Sequence, residues 1–198
     1  MSRVLLIGSG NKDKARELSA MLADLPWEVK GLGDFPVVEE PEETEDTFEG
    51  NALLKAKYYS EHFGVACVAD DSGLAVDALD GAPGVYSARY AGEDCTYADN
   101  NEKLLDALAQ VSWPERTARF LCCAAFCPLE GETHTVLGTV EGHIAVDSSG
   151  ASGFGYDPVF VPEGHDQTFA EMRPEEKHAI SHRGRAFTAL KAYLETLG

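Results

Sequence analysis

The order of hydrophobic and polar positions predicts alternating strands and helices in the first half of the chain. Arg3–Ile7 is a short β-rich run that ends at a glycine. Apolar residues then recur at helical spacing across Ala15–Leu25, which indicates one buried helix face. A second helix is expected over about Phe48–Phe63, because Gly64 suits the position just past a helix end. Val65–Ala69 follows with the composition of a short buried strand.

The second half of the chain continues this alternation. Thr96–Asp99 resembles a capping box and predicts the start of a third helix. Thr117–Cys127 and Thr133–Val146 are expected to be strands joined by a turn. A last helical region is expected over about Pro174–Leu197, with a break near Gly184. Strands and helices in alternation predict an α/β protein, and the length suits one domain over residues 1–198.

Composition narrows the class of partner. The chain carries 34 acidic and 16 basic side chains, a formal net charge of −18. Polymeric nucleic acid and anionic membranes need a basic surface, so neither is an expected partner. No apolar run approaches the roughly 20 residues of a membrane-spanning helix. The five cysteines are odd in number and lie mostly in apolar segments, which favours free thiols and a cytoplasmic location.

The loop after the first predicted strand is the first candidate site. It reads Ser9-Gly10-Asn11-Lys12-Asp13-Lys14. A strand, a glycine turn and a helix start can bind an anion through backbone N–H groups and the helix dipole. The loop does not fit the P-loop pattern, because Asp13 stands where that pattern needs glycine. Phosphate binding and an ordinary strand-to-helix turn therefore both remain open from this loop alone.

Two carboxylates follow the predicted strand Val65–Ala69 and form the second candidate site. Asp70 and Asp71 stand where α/β proteins place their active sites, at the carboxyl end of a strand. Neighbours on an extended chain point to opposite sides, so at most one of the two is expected to face the site unless the chain turns there. Magnesium takes oxygen ligands, and the acidic segment with Glu42 and Glu43 could supply more of them. A turn with an Asx cap is the alternative.

Two later segments hold the remaining candidates. Gly153–Pro158 places glycines beside Phe154, so a flat ring could approach the backbone and stack, although a tight structural loop is the alternative. Lys177, His182 and Arg183 form a group of cations that is unusual in so acidic a chain, although a solvated helix end would explain them too. The spacing of the histidines does not indicate zinc, because a clear third ligand is lacking.

Taken in order, these segments resemble the RdgB-like family of inosine and xanthosine triphosphate pyrophosphatases. The resemblance covers nearly the whole chain, and serine at position 9 replaces the family's usual threonine while keeping the hydroxyl. The matching pieces are Ser9-Gly10-Asn11 with Lys14 and Glu17, Thr47-Phe48 with Asn51-Ala52 and Lys55-Ala56, Ala69–Leu74, Gly81–Arg89, Gly153–Pro158 and Lys177–Arg183.

The resemblance implies a fold, a reaction and an assembly. The fold would be α/β, with a long central mixed sheet flanked by helices and two lobes with an active-site cleft between them. The reaction would be Mg²⁺-dependent hydrolysis of ITP, dITP or XTP to the monophosphate and pyrophosphate, which clears non-standard purines from the nucleotide pool. The protein would be a homodimer.

The resemblance also suggests roles for individual residues. Lys14, Lys177 and Arg183 would hold the phosphates. Asp71 would activate the attacking water, and Asp71, Glu42 and Glu43 would bind Mg²⁺. Phe154 would stack on the purine, while Asp157 and the His182–Arg183 pair would contact its edge. The full predicted substrate-binding set is Ser9, Gly10, Asn11, Lys12, Asp13, Lys14, Ser72, Phe154, Gly155, Tyr156, Asp157, Lys177, His182 and Arg183.

Two alternatives remain open at this point. One is a Maf-like pyrophosphatase that acts on modified pyrimidine nucleotides. The other is a nucleotide-binding sensor that keeps the pocket without catalysis. The ordered motifs disfavour the first, and the intact Asp70-Asp71 pair speaks against the second.

Overall fold

The computed structural model describes residues 3–197, in which six strands form one mixed sheet with helices around it. The strand order is β2-β1-β3-β4-β5-β6. β1 pairs in parallel with β2 and β3, whereas β5 and β6 are antiparallel. The strands are β1 Arg3–Ile7, β2 Trp27–Gly31, β3 Ala66–Val76, β4 Thr117–Cys127, β5 His134–Ile144 and β6 Phe160–Pro162, and the helices are α1 Lys12–Leu22, α2 Phe48–Phe63, α3 Tyr97–Ala107, α4 Pro174–Ile180 and α5 His182–Glu195.

Local sequence signals place several of these boundaries. α2 has the predicted bounds, with Thr47 Oγ1 accepting from Gly50 N at its start and Gly64 at its end. α3 begins with the predicted capping box, in which Asp99 Oδ2 accepts from Thr96 N at 2.7 Å. Such caps satisfy N–H groups that have no partner inside the helix. The α/β prediction is confirmed.

Three sequence predictions about elements need correction. β3 does not end at Ala69 but runs on to Val76, because the polar residues in it have buried partners. The C-terminal helical region breaks at Ser181, which has an extended backbone, and not near Gly184. β2 and β6 were not predicted: no residue of β2 is fully buried, and β6 has only three residues, so neither shows a clear hydrophobic period.

The chain divides into two compact units, each with its own apolar core. The first contains the chain up to Asp71, Cys122–Gly138 and the chain from Arg183 onward. Its main core joins β1, α1 and α5 around Leu5, Leu18 and Phe187.

The second unit contains Ser72–Leu121 and Thr139–His182. Its core joins α3 to β5 and the segment that follows, around Leu104, Ile144 and Phe169. No helix within residues 3–197 is long and apolar enough to cross a membrane.

Candidate active site

In the first unit, the loop between β1 and α1 is fixed at both ends by hydrogen bonds. Gly8 N donates to Val68 O at 2.8 Å, which ties the end of β1 to β3. Asn11 Oδ1 caps α1 by accepting from Asp13 N at 3.0 Å and Lys14 N at 3.1 Å. Asn11 thus satisfies two N–H groups of the first helical turn. The cap therefore fixes the start of α1, and with it the position of Lys14 in the first helical turn.

Asp70 is the centre of a buried ionic group in the first unit. Its side chain is fully buried, and its Oδ2 lies 3.3 Å from Lys14 Nζ and 3.3 Å from an Arg183 nitrogen. Burial opposes ionisation, yet the two cations hold the pKa of Asp70 well below its usual range. Asp70 Oδ1 has no hydrogen-bond partner among residues 3–197. Asp70 is therefore an ionised carboxylate that anchors Lys14.

Arg183 belongs to the same buried group. Its guanidinium donates to Glu17 Oε2 at 3.0 Å as well as to Asp70, and the residue is 3% exposed. Burial lowers the pKa of Arg183, but the charges of Asp70 and Glu17 raise it by more. The pKa therefore lies above its usual value, and the arginine stays charged. Arg183 therefore supplies a counter-charge to both carboxylates, and its phosphate contact stays a prediction.

Asp71 lies on the opposite face of β3, as expected for its neighbour in an extended strand. It accepts from Lys55 Nζ at 3.1 Å and from Asn51 Nδ2 at 3.3 Å, both on α2. Burial raises the pKa of Asp71, and Lys55 opposes that rise. The pKa of Lys55 is itself raised, because the carboxylates of Asp71 and Glu43 outweigh the effect of burial. The ion pair between Asp71 and Lys55 therefore links β3 to α2.

Three residues of these ionic groups were absent from the predicted site. They are Glu17, Asn51 and Lys55. Asn51 and Lys55 are four apart on α2, so they share one helix face, and this spacing was the available signal. All three also stand in the segments that match the family, and for Glu17 this was the available signal, because its partner Arg183 is 166 residues away.

The predicted magnesium ligands are only partly brought together. Asp71 Oδ1 and Glu43 Oε1 both bind Lys55 Nζ, at 3.1 and 2.6 Å, whereas Glu42 is exposed. In the described part of the chain, no three or more His, Cys, Asp or Glu side chains form a group that could hold a metal ion. Two carboxylates that already converge on one ammonium do fit a divalent cation, provided the substrate's phosphates supply further oxygens.

In the second unit, the loop Gly153–Asp157, here called the Phe154 loop, is held by a buried ion pair. Asp157 Oδ2 accepts from Phe154 N at 2.8 Å and from Lys177 Nζ at 2.7 Å. Lys177 Nζ also lies 5.0 Å from the centre of the Phe154 ring. Gly153 has a φ of +76°, and a Cβ there would overlap Asp157 Oδ2. The sequence therefore builds a loop that presents one aromatic ring in a defined position.

Three more of the predicted site residues lie buried in the second unit. Lys177, which was predicted to hold phosphate, contacts the Phe154 loop and also lies 6.0 Å from the centre of the Phe169 ring. Tyr156 is buried and donates from its hydroxyl to Ser87 O at 2.9 Å, which suits a structural role. His182 is buried and stacks on Phe120, with ring centres 4.5 Å apart. Ser72 is partly exposed in β3 beside Asp71, and Gly10 and Lys12 are exposed.

The chain belongs to the Ham1 family. The sequence model of that family matches residues 5–193, nearly the whole chain.

Individual relatives agree with this assignment. A dITP/XTP pyrophosphatase of Exiguobacterium sibiricum is 50% identical over 97% of each chain, and one of Geobacter sulfurreducens is 48% identical over 96% of each. Among solved structures, the Ham1 protein of Staphylococcus aureus is 40% identical with a TM-score of 0.88, over 99% of this chain and 100% of that one. A nucleoside-triphosphatase described as a dITP/XTP pyrophosphatase from Mycobacterium abscessus is 48% identical with a TM-score of 0.77, over 94% and 97% of the two chains.

Proposed function

We propose that this protein hydrolyses non-standard purine nucleoside triphosphates, namely ITP, dITP and XTP, to the monophosphate and pyrophosphate. An identity of 50% over 97% of each chain to a relative that bears the name dITP/XTP pyrophosphatase carries this proposal. The ionic groups around Asp70 and Asp71 support it, because a polyphosphate substrate requires both cations and carboxylates at fixed positions. The biological role would be to clear damaged purines from the nucleotide pool.

The first unit would handle the phosphates. Lys14, held by Asp70, would neutralise phosphate charge from the start of α1. Asp71 would accept a proton from the attacking water, and the burial that raises its pKa makes it a better base than an ordinary aspartate. Water would add at phosphorus as the bond between the α- and β-phosphates breaks, with pyrophosphate as the leaving group. Arg183 would keep Asp70 ionised.

Asp71 and Glu43 are the residues that would hold Mg²⁺ at this site, with Glu42 as a nearby exposed carboxylate. A bound magnesium ion supplies neutralisation of phosphate charge during this kind of reaction. Lys55, whose ammonium binds both carboxylates, would contact a phosphate oxygen of the substrate.

The second unit would recognise the base. Phe154 offers an aromatic face for stacking, and its loop is fixed by Asp157 and Lys177. A 6-oxo purine presents an acceptor where adenine presents an amino group. A donor at that position would therefore favour hypoxanthine and xanthine, because adenine would leave the donor unpaired. His182 remains the residue predicted to contribute to this contact.

The test is a substrate panel with a matched variant. The protein is incubated with ITP, XTP, GTP and ATP in the presence of Mg²⁺ or EDTA, and pyrophosphate and orthophosphate are measured separately. We expect pyrophosphate from ITP and XTP, little from GTP and ATP, and none with EDTA. Asp71→Asn should lose most of the rate while remaining folded, as checked by circular dichroism.

Other outcomes would favour different functions. Equal turnover of all four nucleotides, or release of orthophosphate alone, would contradict the proposed specificity. Turnover confined to modified pyrimidine nucleotides would indicate the Maf-like alternative. Calorimetric binding of ITP without turnover would indicate the sensor. We also propose that the protein is a cytoplasmic homodimer, in line with the resemblance and with its five free cysteines.

A further inference from the structure

The Phe154 loop has a second support that comes from α3. Asn101 Nδ2 donates to Gly155 O at 2.9 Å, and the Tyr97 ring lies 6.0 Å from the Phe154 ring, centre to centre. Asn101 lies 54 residues before Gly155 in the chain, so this bond joins two separate segments of the second unit. It holds the loop at the residue directly after Phe154.

On its α3 side the loop borders an open space. A cavity of about 910 Å³ is lined by α3 residues and by the segment 146–155. Gly153 and Gly155 both have positive φ values, +76° and +62°. Glycine can adopt more backbone conformations than other residues, and both glycines lie beside this open space. A hydrogen bond from α3 therefore restricts the conformations that the loop can adopt.

The Asn101 amide costs folding free energy, and a residue that only filled this space would not need to be an amide. Asn101 is 7% exposed, and its Oδ1 is buried without a hydrogen-bond partner among the described residues. A buried acceptor without a partner is unfavourable, whereas an apolar side chain of similar size would avoid the penalty. The donor of the same amide is used on Gly155. An asparagine here is therefore best explained by what it does to the Phe154 loop.

We propose that Asn101 is a positioning residue for purine recognition, which fixes Gly155 and through it the orientation of the Phe154 ring. This inference rests on the proposed function, in which Phe154 stacks on the base. Asn101 acts through the loop and does not touch the substrate. Its effect is therefore confined to binding of the base and leaves the handling of the phosphates unchanged.

The experiment compares Asn101→Leu with Glu102→Gln, an exposed neighbour on α3 that also lines the cavity. Hydrogen exchange of residues 153–157 is measured in the free protein. For ITP hydrolysis, kcat and KM are measured, together with inhibition by pyrophosphate. Asn101→Leu should speed exchange in the loop and raise KM about fivefold, equivalent to about 1 kcal/mol. The value of kcat, the pyrophosphate inhibition constant and the unfolding midpoint should stay unchanged.

Asn101→Asp separates the hydrogen bond from the shape of the side chain. It places an oxygen opposite Gly155 O, so it should raise KM more than the leucine variant does. Unchanged exchange and unchanged KM in both variants would overturn the proposal, as would an equal loss of pyrophosphate affinity. If the wild-type protein does not hydrolyse ITP, the purine role fails with the proposed function. The exchange measurement still decides whether Asn101 tethers the loop.

Discussion

Removal of Arg183 is the sharpest test of the buried ionic group in the first unit. Arg183→Leu keeps a side chain of moderate size but leaves Asp70 and Glu17 buried without their shared counter-charge. Lys14 remains near Asp70 at 3.3 Å, so one cation still faces that carboxylate. The variant therefore tests the cost of a buried charge that has lost one of its partners.

The expected cost is large. Loss of one partner from a buried ion pair typically destabilises a protein by about 3–5 kcal/mol, because the remaining charge stays desolvated. For a chain of this size, each kcal/mol lowers the unfolding midpoint by about 2–4 °C. The Arg183→Leu midpoint should therefore fall by roughly 6–20 °C.

Arg119 in the second unit offers a matched control. It also binds two carboxylates, those of Asp77 at 2.9 Å and Glu141 at 3.0 Å, but its side chain is 34% exposed. Ion pairs in contact with water contribute only about 0–1 kcal/mol. With about 1 kcal/mol at most for each of the two pairs, Arg119→Leu should lower the midpoint by no more than about 8 °C, and by less than Arg183→Leu does. Both variants are compared by thermal and urea unfolding in EDTA.

The difference in unfolding free energy between the wild-type protein and Arg183→Leu should also depend on pH. In the wild-type protein, the depressed pKa of Asp70 stabilises the fold above the unfolded-state pKa of the carboxyl, and this stability is lost as the pH falls through the folded-state pKa. Without Arg183, less positive charge opposes the effect of burial, so the folded-state pKa of Asp70 should be higher than in the wild type. The variant then takes up a proton at a higher pH than the wild type, so the stability gap should narrow from pH 7 towards pH 3. If Arg183→Leu loses less than about 1 kcal/mol of unfolding free energy, or if its difference from the wild type does not change with pH, Arg183 is not the counter-charge that stabilises buried Asp70.

Two further predictions follow from the second unit and from the proposed assembly. Gly153→Ala should weaken IMP binding in calorimetry more than Gly155→Ala does, because only at Gly153 would the added Cβ overlap Asp157 Oδ2; equal effects would contradict the loop geometry. Sedimentation equilibrium should give twice the 21.4 kDa chain mass, and a monomer at all concentrations would exclude the homodimer.

Local patterns were enough for elements whose start, stop and period lie within a few residues. Thr47, Gly64 and the Thr96–Asp99 box mark helix ends by hydrogen bonds to nearby backbone, so α2 and α3 could be predicted closely. The break of the C-terminal helical region was misplaced, because Gly184 is tolerated inside α5 while Ser181 adopts the extended conformation.

The candidate site could be predicted only as a set of residues. The motifs of the resemblance included Lys14, Asp71, Phe154 and Lys177, and the strand period correctly separated Asp70 from Asp71. The sequence did not show which of these side chains contact one another. Lys177 pairs with Asp157, and Lys55 joins Asp71 to Glu43, through contacts between residues 12 to 20 positions apart.

Patterns along the chain are enough to assign the α/β class, most helix and strand positions and the family, because these depend on local hydrogen bonding and on the order of short motifs. The placement of Asp70 and Asp71 inside a strand follows from packing, since buried charges are stable there only when cations from distant helices reach them. Packing also brings Arg183 to Asp70 and Asn101 to Gly155. Burial and pairing depend on which segments pack together, and no local pattern encodes that.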